Sequence, residues 1–374
     1  MRHVQDCLDT HASFRLPQYV ILAIALLLST WVLTTSGAQT DAPLGPPYQA
    51  HTTNPKIGIH TRLTDEVEAA KIRRTLEMVR EMGARWIVEY FPWAYVEPLP
   101  GLQDWKHADL VIDHAVHQGL IVIARLGMVP QWARPAESPS SLLSEEHYAD
   151  FARFVGDFVS RYAGRVQYII IWNEPNLSME WGFRPVSPVE YTDLLRVAYH
   201  AAKAANPQVR VLAGALAPTL APPGDEWAMN DLDYLRGMLD AGAAAYFDAL
   251  AVHAYGWTYP ADAPPDPQTV NFRRVELLRR VLIEHGESDK PIIITEGGWN
   301  DHPRWTRAVT PAQRIRYTIQ AYQMAKQWDW CEAVVLWVFR YPWPTGSYLD
   351  YYTFVTPSFD PKPIYLEVQR YAIP

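Results

Sequence analysis

Thiols are scarce in this chain: Cys7 and Cys331 are the only two in 374 residues. Cys7 precedes an apolar N-terminal stretch, so a mature domain would carry one cysteine and no internal disulfide. Metal-ligand spacing is missing too. His51, His60 and His107 are scattered, and neither H-E-x-x-H nor a paired-cysteine motif occurs. Positive charge is in deficit, with 33 Lys and Arg against 41 Asp and Glu and a formal net charge of -8. That balance disfavours a nucleic-acid backbone as partner and suits a neutral ligand. There is no internal repeat, no low-complexity tract, no appended binding module and nothing that implies a protein partner.

What the chain does have is apolar content, 49% of its residues, together with 15 Trp and 21 Tyr. Most of these rings belong in a core, but a surplus suits sugars, whose C–H faces stack on aromatic planes. Residues 16–40 contain no charged side chain, and Arg2 and Arg15 lie before them. Ser36-Gly37-Ala38 then offers small residues at the positions a signal peptidase inspects. Residues 1–38 are therefore expected to be an export signal or a single-span membrane anchor, and residues 39–55 a linker. Either puts residues 56–374 outside the cytoplasm, secreted or membrane-anchored.

The remainder repeats one pattern, a short β-branched run, a loop and an amphipathic helix. Strands are expected to begin near Ile57, Trp86, Leu120, Tyr168, Val209, Phe247, Ile292 and Ala333. Helices are expected at 65–82 with Thr64 as N-cap, and at 145–162, 190–205, 230–239, 273–285 and 311–327. Eight strand–helix units predict a single (β/α)8 TIM barrel. The competing architecture, a doubly wound sheet, would carry a Gly-rich phosphate turn after an early strand, and Ile57-Gly58-Ile59-His60 has none.

Two of the runs end in carboxylates: Tyr168-Ile-Ile-Ile-Trp-Asn-Glu174-Pro-Asn176 and Pro291-Ile-Ile-Ile-Thr-Glu296-Gly-Gly-Trp299. Strands four and seven lie nearly opposite around a barrel mouth, so the two side chains are expected to face each other. A pair held that way can protonate a glycosidic oxygen and attack or hydrate an anomeric carbon. Residues two apart on a strand share a face, so His253 and Tyr255 are expected to point together into the mouth. The Tyr255 hydroxyl would then support Glu296 in its ionised form. His60, after strand one, is placed to bond a sugar hydroxyl, and Trp93, Trp132, Trp181, Trp257, Trp299 and Trp343 lie in strand-exit segments.

The motifs Trp172-Asn173-Glu174-Pro175-Asn176 and Thr295-Glu296-Gly297-Gly298-Trp299 resemble those of the clan A retaining glycoside hydrolases, especially the family 39 and family 5 branches. The likeness extends through Phe91-Pro-Trp93-Ala-Tyr-Val-Glu97-Pro98 and Leu126-Gly-Met-Val-Pro130-Gln-Trp132, and so over nearly the whole expected barrel. The resemblance implies a hydrolase of β-linked oligo- or polysaccharides that needs no cofactor and no metal. It implies Glu174 as acid/base, Asn173 on the substrate 2-hydroxyl, Glu296 as nucleophile and Trp337 as the floor under the reacting sugar. Many relatives carry a strand-two Arg that supports the nucleophile, whereas this strand reads Trp86-Ile87-Val88-Glu89; Arg125 on strand three is the expected source of that charge. Three alternatives stay open: a non-catalytic carbohydrate-binding barrel, a cell-envelope transglycosylase, and an unrelated barrel enzyme such as an aldolase or metal-dependent hydrolase, against which the lack of a suitably placed lysine or His/Asp ligand cluster counts.

Overall fold

The computed structural model describes residues 44–341 and 346–373. The expected signal or anchor at 1–38 and the first residues of the linker lie outside them. Among the described residues no helix is long and apolar enough to cross a membrane.

Eight parallel strands close into a barrel in sequence order. They are β1 (Ile57–His60), β2 (Trp86–Pro92), β3 (Ile121–Gly127), β4 (Tyr168–Ile171), β5 (Arg210–Leu216), β6 (Ala249–Tyr255), β7 (Ile292–Gly298) and β8 (Cys331–Leu336). A helix follows each: α1 (Ala69–Glu81), α2 (Lys106–His117), α3 (Tyr148–Arg161), α4 (Pro188–Ala205), α5 (Asp231–Asp240), α6 (Val275–Glu284), α7 (Pro311–Gln327) and α8 (Pro363–Ala372). This is the (β/α)8 TIM barrel that the strand spacing predicts.

Strand alternation divides the core in two. One face of each strand packs inside the barrel, where Trp86, Val88, Ile123, Ile170, Leu212, Ala251, Ile293 and Val335 form a cluster. The other faces meet the helices, as when Phe151, Phe154, Val155, Phe158 and Val159 of α3 bury one stripe. Gly58 shows how tight the barrel floor is: a Cβ there would lie 2.7 Å from Val335 Cγ2 and 2.9 Å from Trp86 Cβ. The bulk of the Trp86 indole is accommodated by removing the side chain opposite it.

Helix starts follow their capping residues. Ser187 accepts from the Glu190 N–H with Pro188 behind it, and Thr310 and Gln313 form a reciprocal capping box. Thr64 differs from expectation. Its hydroxyl and N–H are bound to the Glu89 carboxylate, and α1 begins only at Ala69. Residues 48–55 are likewise not a free linker. Tyr48 N–H donates to His117 O, Thr53 N–H to Ala372 O and Asn54 Nδ2 to Tyr322 O, which straps the segment to the C-terminal ends of helices beneath the barrel. Lys56 Nζ completes the strap by capping the Ala325 and Trp328 carbonyls at the end of α7.

Glu89, on β2, has a structural task. Its buried carboxylate accepts from the Thr61 hydroxyl, the Leu63 and Thr64 N–H groups and the Thr64 hydroxyl, fixing the loop between β1 and α1. Glu89→Ala leaves those donors without an acceptor. We expect a loss of roughly 2–4 kcal/mol, since each stranded buried donor costs about 1–3 kcal/mol. Urea denaturation checks this, and a loss below about 0.5 kcal/mol would remove Glu89 from the scaffold.

Candidate active site

The inward face of the strands turns polar toward their C-terminal ends. Inside the barrel, Trp86 and Val88 lead on β2 to Tyr90, Ile121 and Ile123 on β3 to Arg125, and Ala249 and Ala251 on β6 to His253 and Tyr255. Two carboxylates join this layer only because regular alternation is interrupted. Between β6 and β7, Val252 pairs with Ile294 but His253 pairs with Glu296, so Thr295 is an extra residue in β7. That bulge rotates Glu296 onto the face of Ile293 and His253. On β4, Trp172 and Glu174 take left-handed backbone angles, φ 74° and 42°. Trp172 turns outward against Phe151 and Trp181, while Asn173 and Glu174 turn to the mouth. The Glu174 N–H is bound to the carbonyl of Ala215, itself left-handed at a register shift in β5.

The resulting contacts form one network. Arg125 Nη1 donates to Glu296 Oε1 at 2.5 Å and to Asn173 Oδ1 at 2.7 Å. The Tyr255 hydroxyl donates to Glu296 Oε2 at 3.0 Å. His253 Nδ1 lies 2.6 Å from Glu174 Oε1 and 3.8 Å from Glu296 Oε2. His60 Nε2 stands 3.7 Å from Glu296 Oε1, beyond hydrogen-bond range. Glu174, His253 and Glu296 each present an atom within 4.8 Å of the other two.

Charge in this cluster is unequal. Burial would raise the Glu296 carboxyl, but the charges of His253 and Arg125 more than offset it and hold it at about 2. His60 is itself pushed down to about 3 by burial and by Arg125, so it is a neutral ring at ordinary pH. Burial and the neighbouring Glu296 push the Tyr255 phenol well up, keeping it a donor. Burial opposes the His253 cation, but Glu296 and Glu174 outweigh it and raise His253 above its ordinary value. Both nitrogens of His60 and Nε2 of His253 are buried without a protein partner. These are atoms that a sugar hydroxyl or a water would satisfy.

Of the aromatic residues expected here, Trp337 is half-buried beside Tyr255, Tyr341 and Tyr352. Trp93 and Trp299 correct the expectation of ligand contact. Trp93 is fully buried and donates to Glu97, and Trp299 is buried over Gly256 with its N–H on Tyr259 O. Trp132 is half-buried, its N–H on Glu97 O and its ring against Trp93 and His147, so it braces the loop after β3. Trp181 is buried against Trp172, Trp257 lies under Arg307, and Trp343 is outside the described residues. Tyr90, whose ring packs 5.0 Å from the Arg125 guanidinium, was legible through its parity with Trp86 and Val88 and was missed.

No family model and no curated protein sequence matches the chain. Solved structures do match. A family 39 glycoside hydrolase from the gut symbiont Bacteroides cellulosilyticus WH2 superposes with a TM-score of 0.68 at 21% identity, over 85% of this chain and 64% of that one. The GH5_18 protein of Streptomyces cattleya, solved with GlcNAc, gives 0.63 at 15% identity over 86% and 80%. A GH2 β-galacturonidase from Eisenbergiella tayi gives 0.54 at 15%, over 85% of this chain and half of that one. The likeness is one of fold. The chain is a clan-A-like (β/α)8 barrel similar to several glycoside hydrolase families, and it spans less than two thirds of the Bacteroides protein.

Glu174, His253 and Glu296 also have the spacing of a metal-ligand set. The Arg125 guanidinium already supplies the cation on Glu296, and Glu174 is engaged by His253, which suits an organic ion-pair network better than a metal. The depressed Glu296 carboxyl has a pH signature. A group whose folded pKa lies below its unfolded value contributes stability in full above the unfolded value, 4.5, and loses it as pH falls toward about 2. Urea midpoints of the native protein should therefore drop across that window, and Glu296→Gln should flatten this part of the slope. A Gln variant that keeps the native slope would mean that Glu296 is not the ion-paired group.

Proposed function

We propose that the chain is a retaining β-glycoside hydrolase acting on an oligo- or polysaccharide, with Glu296 as nucleophile and Glu174 as acid/base. The observation that carries this reading is the carboxylate pair at the ends of β4 and β7, with an oxygen of each within 4.8 Å. Direct attack by one carboxylate needs the two about 5–5.5 Å apart, whereas activation of a water between them needs about 6.5–9.5 Å. The ionised state of Glu296, held by Arg125 and Tyr255, favours it as nucleophile over Glu174.

In the first displacement Glu174 gives its proton to the glycosidic oxygen as Glu296 bonds to the anomeric carbon and the leaving sugar departs as an alcohol. In the second, Glu174 takes a proton from water, and the water oxygen replaces the Glu296 ester. His253 holds one Glu174 oxygen and leaves the other for the leaving group. Asn173, its Oδ1 bound to Arg125, presents its NH2 end to the 2-hydroxyl, and Trp337 supplies an aromatic floor.

Proton NMR of the first-formed product should show the β anomer from a β-glycoside; an α product would end the retaining assignment. Glu296→Gln should be inactive on every substrate. Glu174→Ala should be slowed by about 10²–10⁴-fold on natural glycosides. On an aryl glycoside with a good leaving group it should instead stall at the intermediate, and azide should restore turnover as a glycosyl azide. Azide rescue of a Glu296 variant and not of Glu174→Ala would reverse the two roles.

We also propose that residues 16–40 carry the barrel out of the cytoplasm, because 25 uncharged residues preceded by Arg2 and Arg15 suit an export segment. N-terminal sequencing from a secreting host should find either a start near Gln39 or an uncleaved membrane-bound chain. A soluble cytoplasmic product with an intact N-terminus would exclude both.

A further inference from the structure

Beside the carboxylate pair, at the exits of β2, β3 and β4, lies a recess of about 290 Å³. Tyr90, Met128, Ser140, Ser141, Met179 and Glu180 line it, and Asn173 forms the wall shared with the catalytic network. Its size lies near the lower end for small-molecule sites, about 300 Å³.

Glu180 is set rigidly into this recess. Its carbonyl accepts from the Trp172 indole N–H at 2.7 Å, and its side chain shares the wall of the recess with Asn173. Asn173 has its Oδ1 on Arg125, so its NH2 end is the part left to donate. The Arg125 guanidinium is the cation within reach of Glu180, and it is already engaged by Glu296 and Asn173. Three carboxylates, Glu174, Glu180 and Glu296, therefore share one permanent cation. The other lining groups are neutral: two serines, of which Ser141 is bound to Met179 O, a phenol, and two thioethers. Burial, and next the charge of Glu174, raise the Glu180 carboxyl, so a further anion brought into the recess meets repulsion in a poorly solvated place.

We propose that this recess binds a neutral sugar residue adjoining the cleavage point, with Glu180 accepting from its hydroxyls, and that it excludes sugars bearing a carboxylate or sulfate. The proposal rests on the glycosidase reading and narrows its substrate class. A carboxylate with open lone pairs is an acceptor for sugar hydroxyls, whose donor hydrogens it meets without a countercharge. An anionic sugar offers no such donor at its charged group and has no free cation here to pair with.

The test uses β-linked tetrasaccharides of glucose, mannose and galactose, each paired with its C6-oxidised uronate form, on the full-length native protein and on Glu180→Gln. With whichever sugar is cleaved, the native enzyme should prefer the neutral member by at least about tenfold in kcat/KM. Glu180→Gln should narrow that preference by about tenfold, mainly through KM, a factor that corresponds to one pKa unit of differential interaction. Added salt should narrow the native preference and leave the variant's nearly unchanged. Because both substrates meet the same preparation, a partly folded variant does not alter the ratio. If a neutral tetrasaccharide is cleaved but the ratio is the same in both proteins, the recess assignment falls and the glycosidase reading stands. If the native protein cleaves none of the six, the glycosidase reading falls and takes the recess assignment with it.

Discussion

One guanidinium nitrogen holds three strands to a common purpose. Arg125 Nη1 on β3 is shared between Glu296 on β7 and Asn173 beyond β4, and the Tyr90 ring that lies against the guanidinium comes from β2. Removing any one of these partners leaves a charge or a dipole stranded in a poorly solvated layer, which is far costlier than the loss of an exposed pair. The orientation of Asn173, the ionisation of Glu296 and the field felt by Glu180 all follow from where that nitrogen sits. On β2, Tyr90 faces this network, while Glu89 turns the other way and pins the first loop.

The mouth is also where the backbone departs from its easiest conformations. Trp172, Glu174 and Ala215 are left-handed non-glycine residues, and each such position costs on the order of 1–3 kcal/mol. They are tolerated because packing over-determines them: the Trp172 indole is clamped between Phe151 and Trp181, and the Glu174 N–H is bound to the Ala215 carbonyl. Strain of this kind at a strand end places side chains where alternation alone would not.

The barrel was readable because its strands are short apolar runs at even intervals. Ile57, Trp86, Tyr168 and Ile292 begin strands as expected, and the other four start within two residues of expectation. Helix α2 was not legible. Its N-cap is Trp105, without a capping side chain, and Asp and His interrupt its apolar spacing. Helix α8 likewise starts at Lys362-Pro363 with no capping side chain. At the mouth, Glu174, Glu296, His253 and Tyr255 were found from their strand positions. The aromatics resisted because every strand-exit Trp looks the same in one dimension. Trp299 and Trp337 differ in what lies behind them, a bare Gly256 that takes the indole in one case and a cluster of tyrosines in the other. Glu180 gave no signal, since a recess made by three loops has no linear signature.

The extra residue in β7 makes the aim of Glu296 a matter of counting. Side-chain identity at Ile292, Ile293 or Ile294 can drift among apolar types without turning the carboxylate, because the backbone pairing with β6 would be kept. Flattening the bulge with every residue kept would restore plain alternation and carry Glu296 around to the helix side of the sheet, whereas removal of the extra residue would leave the carboxylate facing inward on a regular strand. The aim of the carboxylate is therefore set by the bulge and the residue count taken together, and not by which apolar letters the strand carries.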